Sequence, residues 1–162
     1  MKDRTKKRMK SAAKVFFFLY IIVLSYFLFF SESLGRGSFS TGYRYNLELL
    51  AEIKRFIKYR EYVGFDIFVI NILGNVIAFM PFGFLLPLID RKYRRFFYVA
   101  FLSLLFSLAV EGIQMLTHVG IFDVDDILLN TIGGVLGYLL FSVANWIYRR
   151  LIKSNRKGRR ND

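Results

Sequence analysis

The sequence predicts an all-α, polytopic membrane protein: four transmembrane helices, with an extracytoplasmic amphipathic helix between the first and the second. Three observations predict it. Of the 162 residues, 55% are hydrophobic and 19% aromatic, more than a soluble domain of this size carries. The apolar residues gather in four stretches of near or full spanning length, residues 15–30, 67–89, 96–116 and 127–148. Glu111 is the single charged residue inside any of them, and the other charges crowd between.

Residues 1–14 form a basic, mobile tail. The first stretch is short for a span, but Ser11, Ala12 and Ala13 extend it while Lys14 snorkels to the headgroups. A basic start before an apolar run also describes a secretory signal; this run is long and aromatic for that, so an uncleaved anchor is expected. The serine- and glycine-rich segment that follows reads as an extracytoplasmic loop. Within residues 46–62, Leu49, Leu50, Ile53, Phe56 and Ile57 recur at three- and four-residue intervals against Glu48, Lys54, Arg55 and Lys58. That is an amphipathic helix, placed on the membrane surface or on the protein's own helix ends. Helix 2 carries Pro81 and Gly83, and the six-residue connection from Asp90 makes helices 2 and 3 antiparallel neighbours. Helix 4 carries Gly133, Gly134 and Gly137, which permit close helix contact. Trp146 and Tyr148 mark its interface, and residues 149–162 form a second basic tail.

Lysine and arginine set the expected orientation. Seven lie in the first tail, four in the 90–95 connection and seven from Arg149 onward, against six between helices 1 and 2 and none in residues 117–126. Both termini are therefore expected in the cytoplasm. The +12 net charge reads as topology plus attraction to anionic membrane lipids, worth roughly 1 kcal/mol per basic residue near the surface. No segment resembles a nucleic-acid reader, so no nucleic-acid partner is expected. With no cysteine, disulfides, thiolate metal sites and cysteine nucleophiles are excluded.

The polar residues converge in this topology. Glu111 sits about 8 Å inside helix 3 from its outer end. Gln114 and His118 follow at i+3 and i+7 on one face, and Ser107 continues the stripe a turn deeper. Asn71 and Asn75, a turn apart on helix 2, lie about 6 and 12 Å down from the same side. Asp126 and Asn130 share a face at the start of helix 4, with Asp123 and Asp125 just before. A charged side chain facing lipid costs several kcal/mol, so these groups are expected to line a polar outer-leaflet pocket. Each also has a structural reading. Glu111 can be a protonated acid bonded to Asn71 or Asn75, and one of Asp125 and Asp126 can cap helix 4. His118 can be an interfacial anchor, and Asn130 an interhelical bond.

The run NILGNVIAFMPFGFLLPLI, then a short basic loop, SLLFSLAVEGIQML and GIFDVDDILLNTIGGVLGYLL resembles the VanZ-like family of small bacterial membrane proteins. The founding member is associated with resistance to teicoplanin. The resemblance covers about residues 71–140 and singles out Asn71, Asn75, Pro81, Gly83, Arg91, Glu111, Gln114, Asp123, Asp125, Asp126, Asn130 and Gly134. Family members often have Asn-Leu-Ile-Pro-Phe before helix 2; this chain reads YNLELLAEI, so no role is carried onto Asn46.

Three functions follow. The first is an envelope protein, not an enzyme, whose pocket binds a lipid-linked wall component or a lipoglycopeptide's lipid and so lowers glycopeptide susceptibility. The second is a membrane enzyme acting on an envelope lipid or polymer, because carboxylates and a histidine suit acid–base work or a hard divalent cation. Against it, no catalytic or metal-binding motif is present, and no metal or other cofactor is assigned. The third is a structural partner in an envelope complex.

Overall fold

The computed structural model describes residues 3–35, 45–59 and 65–158. Parts of the expected loop after the first span, the end of the amphipathic helix with the turn after it, and the two chain ends lie outside them. The elements in order are α1 (Asp3–Gly35), β1 (Tyr45–Asn46), α2 (Ala51–Tyr59), α3 (Phe65–Ile89), a 3₁₀ turn (Arg91–Tyr93), α4 (Phe96–Leu116), β2 (Phe122–Asp123) and α5 (Val124–Gly158). Helices α1, α3, α4 and α5 are each long and apolar enough to cross a membrane. The protein is a multi-pass, all-α membrane protein.

Two helices outrun the expected spans. The basic residues of α1 are helical from Asp3 rather than a mobile tail, and α5 continues past Tyr148 to Gly158. Lysine, arginine, alanine and methionine are good helix formers, and extending an existing helix avoids the cost of nucleating one. At 33 and 35 residues, α1 and α5 are about 50 Å long, against a hydrocarbon core of about 30 Å. Both therefore project well beyond it. The amphipathic helix starts at Ala51, later than the expected residue 46, and its expected end lies outside the described residues.

Side-chain contacts give the helix directions. Asn75 meets Asp126 and Gly83 meets Gly134 at the same sequence offset, so α3 and α5 run parallel. Ser107 meets Asn130, Ser103 meets Gly134 and Tyr138 reaches Arg94, so α4 and α5 run antiparallel. One end of the bundle thus collects the starts of α3 and α5 and the finish of α4. The other collects the start of α1, the 90–95 connection and the finish of α5.

Glycine makes the α3–α5 contact. A methyl group on Gly83 would be driven onto the Gly134 carbonyl, and one on Gly137 onto the Met80 carbonyl. With backbone against backbone, the helices approach closely and dispersion contacts replace the hydrophobic drive that lipid cannot supply. Around this seam Phe79, Phe82 and Val110 are buried, and the Phe82 and Phe106 rings stack with centroids 4.7 Å apart. α1 is tied on by the Tyr20 hydroxyl, which donates to the Ala78 carbonyl at 2.8 Å. α3 stays a single helix through Pro81 and Pro87. Arg94 fastens the basic end: its Nε donates to the Pro87 carbonyl at 3.2 Å, and its own carbonyl accepts from the Tyr138 hydroxyl at 3.0 Å. Arg91, singled out by the resemblance, is exposed and contributes its carbonyl to the turn.

Candidate functional site

Asp123 is the hub of the acidic end. It precedes the first residue of α5, and its Oδ1 accepts from the Asp125 N–H at 2.8 Å. That is an N-cap, satisfying a backbone donor the helix leaves open. The cap was expected at Asp125 or Asp126; it lies on Asp123 instead, so the helix begins at Val124. Asp123 Oδ2 accepts from Asn46 Nδ2 at 3.0 Å, and the Asp123 N–H donates to Glu111 Oε2 at 3.1 Å. Glu111, 2% exposed, therefore reaches from the last turns of α4 to the start of α5.

The remaining acids also face donors. Asp125, 4% exposed, accepts from the Leu50 N–H at 2.5 Å, and Asp126 accepts from Asn75 Nδ2 on α3 at 2.5 Å. Four carboxylates thus gather where the α5 macrodipole is positive, among backbone N–H groups and carboxamides. Deeper along the same seam, Asn130 donates to Ser107 Oγ at 3.0 Å, and both residues are buried.

A strap lies across this end. Tyr45 and Asn46 pair in parallel with Phe122 and Asp123, and the Asn46 Oδ1 accepts from the Glu48 N–H at 3.2 Å. Leu50 then takes a left-handed backbone, φ 62°, with its N–H on Asp125 and α2 starting directly after it. Holding a leucine there costs about 1 kcal/mol, which the bonds on both sides offset. Lys54 contacts Glu48 at 2.8 Å and keeps its carboxyl below the usual range; so exposed a pair adds little stability.

Not every candidate joins the cluster. The Asn71 side chain is exposed and makes no hydrogen bond among the described residues. At the α3–α5 offset it lies level with Phe122, before α5 begins, so no turn of that helix covers it. Gln114 is buried and bonds elsewhere, donating to the Leu28 carbonyl of α1 at 3.1 Å. His118 is exposed and closes α4: its N–H bonds the Met115 carbonyl, the Val119 N–H bonds the Gln114 carbonyl, and its φ is 56°. This is a Schellman cap with histidine where glycine is usual. Glycine holds this φ without the strain of about 1 kcal/mol, so His118→Gly is expected to melt above His118→Val. His118→Val is expected to melt below wild type, because a β-branched residue tolerates this φ poorly. Thermal unfolding of the detergent-purified variants decides the order.

Sequence reasoning missed Asn46 and the Leu50 N–H. Neither carries a periodic signal: a two-residue strand is too short for one, and a backbone donor is invisible in a side-chain pattern. The position of the family's Asn-Leu-Ile-Pro-Phe segment was the available clue. Chemically, the cluster can accept hydrogen bonds from amides, amines and hydroxyls. Among the described residues, no group of three or more His, Asp or Glu side chains is arranged to hold a metal ion.

Two comparisons with known proteins bear on this arrangement. The family model described as VanZ/LLP1 matches residues 17–145, which takes in most of α1, the strap, α3, α4 and α5 as far as Asn145. A relative named Protein VanZ, from Enterococcus faecium, is 38% identical over 75 residues, a stretch covering 46% of this chain and 46% of the relative. No solved structure matches. With its glycine seam and its acidic junction inside the matched region, the chain belongs to the VanZ/LLP1 family.

Proposed function

We propose that this chain is an envelope protein of the bacterial cytoplasmic membrane, with its acidic end outward and both termini in the cytoplasm. Its acidic cluster would bind a lipid-linked wall component or the lipid-bearing part of a glycopeptide antibiotic and lower susceptibility to such drugs. One observation carries the reading. Glu111, Asn75, Asp123, Asp125 and Asp126, drawn from three spans, share one junction at one end of the bundle. Carboxylates and carboxamides suit amide, amine or sugar hydroxyl groups and repel bare phosphates. The association of the resembled family with teicoplanin resistance supports the same direction. The orientation rests on the arginines and lysines of the opposite end. The strap would lie along the outer surface, where the exposed Ile53 and Ile57 of α2 would meet lipid headgroups.

A second reading has its own observation: the carboxylates accept from the backbone of Leu50, Asp123 and Asp125. In that reading the cluster only holds the strap in place. Glu111→Gln and Asp126→Asn separate the two, since each keeps one oxygen for the Asp123 N–H or the Asn75 amide while it loses the charge and exchanges the second oxygen for an NH2 group. Expressed in a glycopeptide-susceptible host, the wild type is expected to raise the inhibitory concentration of teicoplanin. Each variant is expected to return it to the empty-vector level while reaching the membrane in equal amount. Full protection by both variants would refute ligand binding by the carboxylates.

A further inference from the structure

The end opposite the cluster is strongly basic. Arg91, Lys92, Arg94 and Arg95 lie in the connection and Arg149 and Arg150 at the finish of the α5 span, with Asp90 as the nearby acid. Asp90 is already engaged: its Oδ1 accepts from the Lys92 N–H at 3.2 Å. Among the described residues, no carboxylate pairs with any of the five arginines. Arg94 is the fixed member. Its Nε is spent on the Pro87 carbonyl and its guanidinium stands 5.5 Å from the Phe141 ring centroid. The two terminal nitrogens of its fork remain. Burial and the charges of Arg149 and Arg91 hold this guanidinium below its ordinary range, so three positive groups crowd one place with no ion pair among the described residues.

The surroundings are those of a membrane interface. Arg150 lies over the Trp146 ring at 4.0 Å and Lys92 over Tyr93 at 4.9 Å. On the membrane side, a cleft of about 580 Å³ runs over α3 between α1 and α5, its wall including Leu19, Tyr20, Met80, Phe84, Leu85 and Leu140. Leu85 is five residues, about 8 Å along α3, from Asp90. The cleft thus ends one to two turns of α3 before the basic connection.

We infer that the basic end seats one anionic phospholipid of the adjoining leaflet, its phosphate on the Arg94 fork with Arg91 and Arg149 beside it and an acyl chain in the cleft over α3. A planar fork suits a phosphodiester bidentately in a way an ammonium does not. The seat differs from diffuse attraction to a charged surface in being saturable and in depending on particular side chains rather than on net charge.

Native mass spectrometry of the full chain released from nanodiscs of equimolar phosphatidylglycerol and phosphatidylcholine tests it. One phosphatidylglycerol is expected to remain bound in preference to phosphatidylcholine. Arg149→Gln, an exposed site whose change leaves the fold alone, is expected to lower retention about fivefold for the charge removed. Arg94→Lys, which keeps the charge and loses the fork, is expected to lower it as well, with a cooperative melting transition showing that the protein is folded. Lys58→Gln at the acidic end is expected to match wild type, and inorganic phosphate to displace nothing. Equal retention of both lipids overturns the seat, as does wild-type retention by both arginine variants. A Lys58→Gln loss as large as that of Arg149→Gln would show diffuse charge alone, and displacement by inorganic phosphate would show a site for soluble phosphate.

Discussion

Gly83→Ala is expected to abolish the folded protein, while Gly74→Ala, nine residues earlier on the same helix, is expected to leave it intact or slightly more stable. The two substitutions add the same methyl group to α3. At Gly83 it would be driven onto the Gly134 carbonyl, whereas at Gly74 nothing lies within 4 Å. Overpacking costs about 1–3 kcal/mol where side chains can shift, and here the obstacle is the backbone of α5, so the cost should exceed that range. At Gly74 the same change recovers up to about 1 kcal/mol of helix propensity. Gly134→Ala belongs between them, because it meets the Ser103 side chain rather than a backbone carbonyl: the hydroxyl can turn away, while the Ser103 Cβ requires a small shift of α4. Melting in detergent and the amount inserted in membranes should rank Gly74→Ala above Gly134→Ala above Gly83→Ala. A Gly83→Ala protein that melts with Gly74→Ala would mean that α3 and α5 do not cross where their glycines meet.

How much of this was legible in the sequence depended on whether the signal was a pattern or a single bond. α4 was readable to the residue, at 96–116, because Arg95 and Thr117 bound an apolar run on both sides. The glycine seam was readable as a tendency to close contact, though not as a crossing of Gly83 on Gly134, since spacing on one helix does not say what faces it. Convergence of Glu111 with the aspartates followed from topology and helical rise. What failed was register. Asn71 and Asn75 share a face of α3, yet α5 begins too late to cover Asn71. Helix periodicity also placed Gln114 beside Glu111, while its bond runs to α1, a helix whose angular position no loop length specified. The strap escaped altogether, because its anchors are the amide of one asparagine and the N–H of a leucine in a left-handed conformation.

Both ends of the bundle address the same difficulty, that of ending apolar helices at an interface, and they do so with opposite chemistry. The basic end extends α1 and α5 outward, and among the described residues its arginines pair with no carboxylate. The acidic end stops α4, restarts the chain at Asp123 and folds the strap back over the junction. Asp123→Ala should therefore be the most disruptive single change among the acids. It deletes the cap of α5, worth about 1 kcal/mol, and the charged acceptor for Asn46, worth about 1.5–3 kcal/mol. It also strips the side chain that aims the Asp123 N–H at Glu111. The rescue series separates these contributions. Asp123→Ser restores a cap oxygen and nothing for Asn46. Asp123→Asn keeps the cap but turns an amide donor towards the Asn46 donor, and Asn46 cannot simply flip, since its own oxygen serves the Glu48 N–H. Both variants should melt between wild type and Asp123→Ala, and in both limited proteolysis should cut residues 45–59 faster than in wild type. If Asp123→Ala melted as wild type with the strap still protected, the junction would not be what holds α4, α5 and the strap together, and the cluster would lose its claim to a fixed geometry.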